Sequence, residues 1–467
     1  MQTWLERLFH VPVAEQGKTA MVLVYIFFAA SACVVGRTAA DTLFLARIGA
    51  DQLAWMYVVS AIVVAVAALL YARLARRMTL RALLVATHVL LAVAAVALRW
   101  VLTEYHHHTY VIAPIYLLSE IQGAMAGILF ATVLNELFRG DDARGVFGIA
   151  GVGSTVSGIV FGGLMAFEAY NLHAANLLYV MAGLHLLTLA SVVSFRSART
   201  GRAAVETAAR ADLAEGLLDI GVGCVNASAA SPRAASPRDA SPRDVPAIES
   251  AEFSPPEGYS RWLVALAVVQ FPTIMLIGFQ WKIAVNDAYH DSEDAMAAYF
   301  GGYYAIVNIV TFVLQTAFAG RLLKHFGLLP ALLSFPIALG LAATTIAAAS
   351  SERVLLWAAT MSKGAESLRR SFSDPAFQLL YFPLPQAQRR QLIAAIGGGV
   401  KPLVEAVAAL AILEVTFLTG AHDISYVVAA LVFMWIVLAV GCRRRYREAI
   451  DAEESGKAAS PAAPETV

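Results

Sequence analysis

Nine ionisable side chains stand inside stretches that are otherwise apolar: Arg37 and Asp41, Glu120, Lys282, Glu366 with Arg369 and Arg370, and Lys401 with Glu405. A charge facing hydrocarbon costs about 2.5–3.5 kcal/mol on insertion scales, so such residues turn toward other helices or water. The densest group falls in "KGAESLRRSFSDPAFQLLYFPLPQAQRR", residues 363–390. Arginine presents a planar fork of donors that matches phosphate or carboxylate, and the attraction strengthens where the dielectric is low. Arg37, Arg369, Arg370 and Lys282 are therefore candidate contacts for an anionic solute. A buried carboxylate can carry a coupled proton, or it can neutralise arginine while solute is absent. Asp41, Glu120 and Glu366 are the candidates for that role. Spacings of three and four place Glu366 within pairing reach of Arg369 and Arg370 on a helix. Lys401 and Glu405, four apart, read as a gate or a structural pair, and simple structural pairing is the alternative for the other charges too.

The elements that carry these charges cross a membrane. The 467 residues are 59% hydrophobic and 15% charged, against about 45–50% and about 25% in a soluble domain. Runs such as "AWMYVVSAIVVAVAALLY" and "ALLVATHVLLAVAAVAL" have span length, and spans exposed to lipid satisfy their own backbone as helices. The alternating pattern of a membrane barrel is absent. Net formal charge is zero, and no nucleic-acid partner is expected. Three cysteines make no disulfide framework. "HHH" at 106–108 reads as an ordinary polar loop, and no triad, zinc-ligand set or nucleotide-hydrolysing motif occurs. Neither enzymatic activity nor a cofactor or metal is expected.

The pattern predicts twelve helices, near 19–46, 53–72, 80–102, 109–137, 145–168, 173–195, 260–286, 297–319, 328–350, 353–381, 391–418 and 424–442. Residues 1–18 form an N-terminal segment, 19–196 a first six-helix bundle, 260–443 a second, and 444–467 a tail. Between the bundles, 197–259 repeats "ASPR" three times, a composition that cannot bury a core and predicts a disordered linker. Basic residues cluster after every second span: Arg73, Arg76, Arg77 and Arg81, then Arg139 and Arg144, Arg196 and Arg199, Arg321 and Lys324, Arg389 and Arg390, and "RRRYR" from Arg443. Positive residues stay on the cytoplasmic side, so both termini and the linker are expected there, in a bacterial-type inner membrane. Glu120 and Glu366, Arg144 and Arg390, and Gly151 and Gly397 are each 246 positions apart. Two parallel six-span repeats with a site between them is a common transporter plan. The fold class expected is thus an all-α polytopic membrane protein of two six-helix pseudo-repeats.

"GRLLKHFG" from Gly320 resembles the short cytoplasmic loop of the major facilitator superfamily. "SFSDPAFQLLYFPL", residues 371–384, resembles the ATP/ADP translocase family of intracellular bacteria and plastids, at Ser371, Asp374, Pro375, Tyr381, Pro383 and Leu384. "GRTAADTLFL", "SEIQG", "DDARGVFGIAGVG" and "QWK" are similar to that family's segments in spans 1, 4, 5 and 7. The resemblance implies a major facilitator fold whose first helices in each three-helix unit line a cavity, and exchange of nucleotides through basic and acidic cavity residues. Ala40, Gly278 and Gln378 stand where the family carries a basic or acidic residue. The expected function is secondary transport, by exchange or proton coupling, of a small anionic organic solute with nucleotides as the leading class. A proton-driven exporter and a membrane scaffold or lipid-handling protein are the alternatives.

Overall fold

The computed structural model describes residues 16–75, 77–105, 109–137, 142–193, 258–318, 327–349, 351–384, 388–389, 392, 395–396, 400–418 and 424–459. Most of the expected linker, the "HHH" loop and several of the basic markers (Arg76, Arg139, Arg196, Arg199, Arg321, Lys324, Arg390) lie outside them. The first six helices are α1 (Gln16–Arg47), α2 (Leu53–Ala75), α3 (Leu80–Glu104), α4 (Ile112–Leu137), α5 (Asp142–Leu172) and α6 (Leu177–Val193). The second six begin with α7 (Tyr259–Tyr289), α8 (Glu293–Val313, continued by a π turn at Leu314–Phe318) and α9 (Leu328–Ala347). Next comes α10, a succession of Glu352–Gly364, Glu366–Leu368, a π turn at Arg369–Ser373 and Asp374–Leu379. The set ends with α11 (Lys401–Leu418) and α12 (Ile424–Ala459). No strand occurs among the described residues.

Ten of these twelve are long and apolar enough to span a bilayer. The two outside that set are α10, which a turn at Ala365 divides into shorter pieces, and α11, whose described helix begins at Lys401. Lys363, Glu366, Arg369, Arg370 and Asp374 lie along α10, whereas α11 carries Lys401, Glu405 and Glu414 within 18 residues. Helix starts follow local chemistry: the Thr79, Ser292 and Ser351 hydroxyls accept from the backbone N–H three residues on, satisfying donors that the first turn leaves free. Gly49 adopts φ 95° between α1 and α2, a conformation that side chains disfavour. α12 continues past its apolar stretch because Arg444 and Arg445 both pair with Glu448 on the next turn.

The halves meet along two seams, α5 against α8 and α2 against α11, with α1 also touching α7 and α8. One apolar core runs through both halves, from Leu53, Val111 and Leu177 to Val285, Met296 and Phe335. A second core, with Tyr25, Tyr71, Leu84, Leu129 and Val192, belongs to the first half alone. The end carrying the α1–α2 turn is therefore where the halves close together. Ion pairs cross there as well. Arg47 Nε and Nη2 donate to Glu293 at 2.6 and 3.1 Å, while Asp294 accepts from Ala174 N–H at 3.2 Å and contacts His173 Nδ1 at 2.8 Å.

At the α5–α8 seam the backbones nearly touch. A Cβ on Gly162 would sit 2.6 Å from Ala305 N and 2.8 Å from Gly301 O, whereas one on Gly163 would meet nothing within 4 Å. Because the opposing atoms are backbone, the helices themselves must part. Gly162→Ala is expected to destabilise this closed form by about 1–3 kcal/mol, the usual cost of overpacking. Gly163→Ala meets no neighbour and is expected to hold or slightly raise stability, since alanine favours the helix; thermal unfolding of the two purified variants in detergent checks the contrast.

Candidate functional site

Three clusters of charge occupy the interior, and each is assembled differently. The first joins the halves. Lys282 on α7 donates from Nζ to Asp41 Oδ1 on α1 at 2.7 Å and to the Tyr116 hydroxyl on α4 at 3.1 Å. The Tyr57 and Tyr116 rings lie 5.5 and 5.2 Å from the same ammonium, within cation–π range. Asp41 is 1% exposed and Lys282 7%. Asp41 Oδ2 has no hydrogen-bond partner among the described residues, and the Lys282 ammonium is the cation bonded to this carboxylate.

One turn earlier on α1, Arg37 donates to Glu120 on α4. Both side chains are half-buried. This second cluster ties two helices of one half, in contrast to the first.

The third cluster lies wholly on α10. Lys363 donates to Glu366, and Arg370 Nη2 lies 3.6 Å from the other oxygen of Glu366. Arg369 donates from Nη1 to Asp374 Oδ2 at 3.2 Å. That pairing spans five residues, which in an α-helix lie roughly 140° apart around the axis. The π turn at Arg369–Ser373 widens the helix and brings position i+5 back toward position i. Arg369 is 3% exposed, yet its Nε and Nη2, together with Arg370 Nε and Ser371 Oγ, have no hydrogen-bond partner among the described residues. Buried donors of this kind are few in folded proteins because each costs desolvation energy. Three cations thus share two carboxylates in one segment, with four donor atoms still available.

The sequence placed Lys282 among the solute contacts, and the structure occupies its ammonium with Asp41 and Tyr116. Glu120 and Glu366, equivalent by repeat spacing, differ in partner: one holds a cation from another helix, the other holds cations from its own. Lys401 is buried with Nζ 5.4 Å from the Phe271 ring on α7, and Glu405 is half-buried one turn on. Sequence reasoning passed over Lys363, although it sits three residues before Glu366. It also passed over Tyr57 and Tyr116, which carry no charge to draw attention. Lys363 Nζ lies 5.9 Å from the Trp281 ring and would be 3.6 Å from a Cβ on Gly278. The ammonium therefore approaches the position where the resembled family carries an acidic residue.

With twelve helices in two halves and interior charge between them, the family follows from comparison. The Major Facilitator Superfamily model matches residues 19–368. The chain belongs to the major facilitator superfamily. This integral membrane protein shares its fold with solved transporters at low identity. A structure of a mutant of the nucleoside transporter NupG is 11% identical over 91% of this chain and 99% of its own, with a TM-score of 0.59. A D-xylose–proton symporter is 12% identical over 91% and 96%, with a TM-score of 0.57. A POT family transporter in complex with a thioalcohol-conjugated peptide is 12% identical over 94% and 99%, with a TM-score of 0.58. No curated protein sequence matches it.

Removing one member of a buried ion pair strands the other, at about 3–5 kcal/mol, whereas replacing both with apolar side chains of similar volume is far milder. Lys282→Met alone is expected to lower the unfolding temperature in detergent more than the double variant Asp41→Leu/Lys282→Met does. If the losses simply add, the pair does not hold the halves together.

Proposed function

We propose that this member of the superfamily is a secondary transporter that carries a small anionic organic solute by alternating access. The reading rests on one observation: at the π turn of α10, Arg369 Nε and Nη2, Arg370 Nε and Ser371 Oγ are buried without partners among the described residues. A phosphate or carboxylate would accept from such an array through charge-assisted bonds, each contributing a net of about 1.5–3 kcal/mol. Arg37 is the second basic contact. Lys282 reaches solute when Asp41 releases it, and Asp41, Glu120 and Glu366 balance charge or carry a proton between loads. Lys401 and Glu405 serve as a gate or brace on α11.

The closed end sets the direction of the cycle. To open it, Asp41–Lys282, Arg47–Glu293 and the contacts of Asp294 must separate. The cationic surplus on α10 favours exchange, since an empty carrier would have to reorient with unneutralised arginine in its interior. Nucleotides are the leading cargo class, supported by the resemblance of residues 371–384 to nucleotide translocases. The fold likeness extends equally to sugar and peptide carriers and so selects no cargo. By the distribution of basic residues, both termini and the linker lie in the cytoplasm.

Thermal unfolding against a panel of nucleotides, sugar phosphates, dicarboxylates and lipophilic cations tests the reading. An anion at 100 times its dissociation constant stabilises the wild type by about 2.7 kcal/mol. Arg369→Ala loses that stabilisation, and Arg369→Lys, which keeps the charge but not the fork, loses most of it. Stabilisation by lipophilic cations alone, or an anion effect untouched by either variant, would reject an anion site at α10.

A further inference from the structure

Away from these charges, the first half buries a chain of four polar side chains drawn from four helices. The Tyr25 hydroxyl on α1 lies 3.3 Å from His88 Nε2 on α3. His88 Nδ1 lies 3.1 Å from His185 Nδ1 on α6. His185 Nε2 lies 3.2 Å from the Gln122 amide on α4. Exposure is 3% or less for all four. Nothing in the transport reading uses them.

Two imidazoles that meet through Nδ1 hold a fixed number of protons. With both rings neutral, one Nδ1 donates and the other accepts, and the chain runs in a single direction. In one direction the Gln122 N–H donates to His185, His185 to His88, and His88 to the Tyr25 oxygen. In the other the Tyr25 O–H donates to His88, His88 to His185, and His185 to the Gln122 oxygen. One additional proton can be taken up without losing any of the three contacts. Both Nε2–H groups then donate outward, to Tyr25 and to the Gln122 oxygen, and the added proton lies between the two Nδ1 atoms. A second would set two N–H groups against each other.

We infer that His88 and His185 form a one-proton binding site, separate from the carboxylates of the interior. The groups facing it are Tyr25 on α1 and the Gln122 amide on α4, and Cys33 on α1 and Tyr71 on α2 face Tyr25 in turn. Neither imidazole is hydrogen-bonded to a carboxylate or a cation among the described residues. Uptake is felt beyond the pair, because it requires the Gln122 oxygen to face His185. In the structure the amide nitrogen faces that ring, and the Gln122 oxygen packs against Gly36, where an added Cβ would collide with it. Turning the amide exchanges oxygen for NH2 against α1 at the residue before Arg37, and Gln122 follows Glu120 by two positions. The proton thus acts on the register of α1 against α4, behind the Arg37–Glu120 pair.

The proton itself is the probe. The chain has ten histidines, and 15N-histidine NMR of the full-length protein in detergent micelles, with His88→Gln and His185→Gln for assignment, follows the two rings as pH falls. The expected result is uptake of one proton by the pair, with both rings changing at a common midpoint and an N–H···N coupling between them. Gln122→Glu places a carboxylate on the pair and is expected to move uptake upward by about one pH unit, as an opposite charge in contact does. Two protons, independent midpoints, or no uptake while the wild type stays folded would overturn the site. So would a folded Gln122→Glu protein whose midpoint does not move, and the wild-type titration decides the matter even if the variants do not fold. Because no solute is involved, the outcome is independent of whether an anion binds at α10.

Discussion

A charge in the interior of a membrane protein must find a partner within reach, and the architecture of this chain follows from that constraint. Asp41 is held by Lys282 from the other half, Glu120 by Arg37 from a neighbouring helix, and Glu366 by Lys363 and Arg370 from its own. Each solution fixes something different. The first sets how the halves meet, the second the packing of α1 on α4, and the third the local winding of α10. Apolar side chains occupy the outside instead: Phe167, Leu341 and Phe433 are all exposed, as lipid contact requires and water would not.

The closed end combines several such contacts with close backbone packing. Lys282 and Asp41, Arg47 and Glu293, and the small residues of α5 and α8 lie on surfaces shared by both halves. None is individually large, since an ion pair recovers little beyond its desolvation cost and glycine contacts act through dispersion over short range. A set of modest contacts is what a reversible closure needs, because solute binding supplies only a few kcal/mol to shift it. The α10 arginines stand on the same half as Lys282, and Lys363 lies beside Trp281, one residue from it. Lys363 thus places the charges of α10 against the helix that carries Lys282.

The helical membrane class, the major facilitator plan and the presence of interior charge were legible in the sequence, because hydrophobicity over twenty residues is a local property. α10 shows where that reading stops. Its spacing of three and four put Glu366 beside both arginines; Arg370 lies within ion-pair distance of Glu366, and across a π turn Arg369 also reaches Asp374, five positions on, a partner the α-helical spacing did not indicate. Lys282 was recognised as an interior cation, but its partner 241 positions away had no local mark. In the buried chain Tyr25–His88–His185–Gln122 single contacts join positions up to 97 apart, and each residue taken alone looks like an ordinary polar residue in a span.

The sequence by itself determined that this is a helical membrane protein with its charges confined to a few positions, since transfer from water to lipid is decided residue by residue. Tertiary structure decided which charge answers which. That depends on helix rotation and on the closing of one half against the other, and it set Asp41 on Lys282, left part of the Arg369 fork without a partner, and brought two imidazoles face to face. Pairing is a property of distance, and distance between helices is encoded only in how the whole bundle packs.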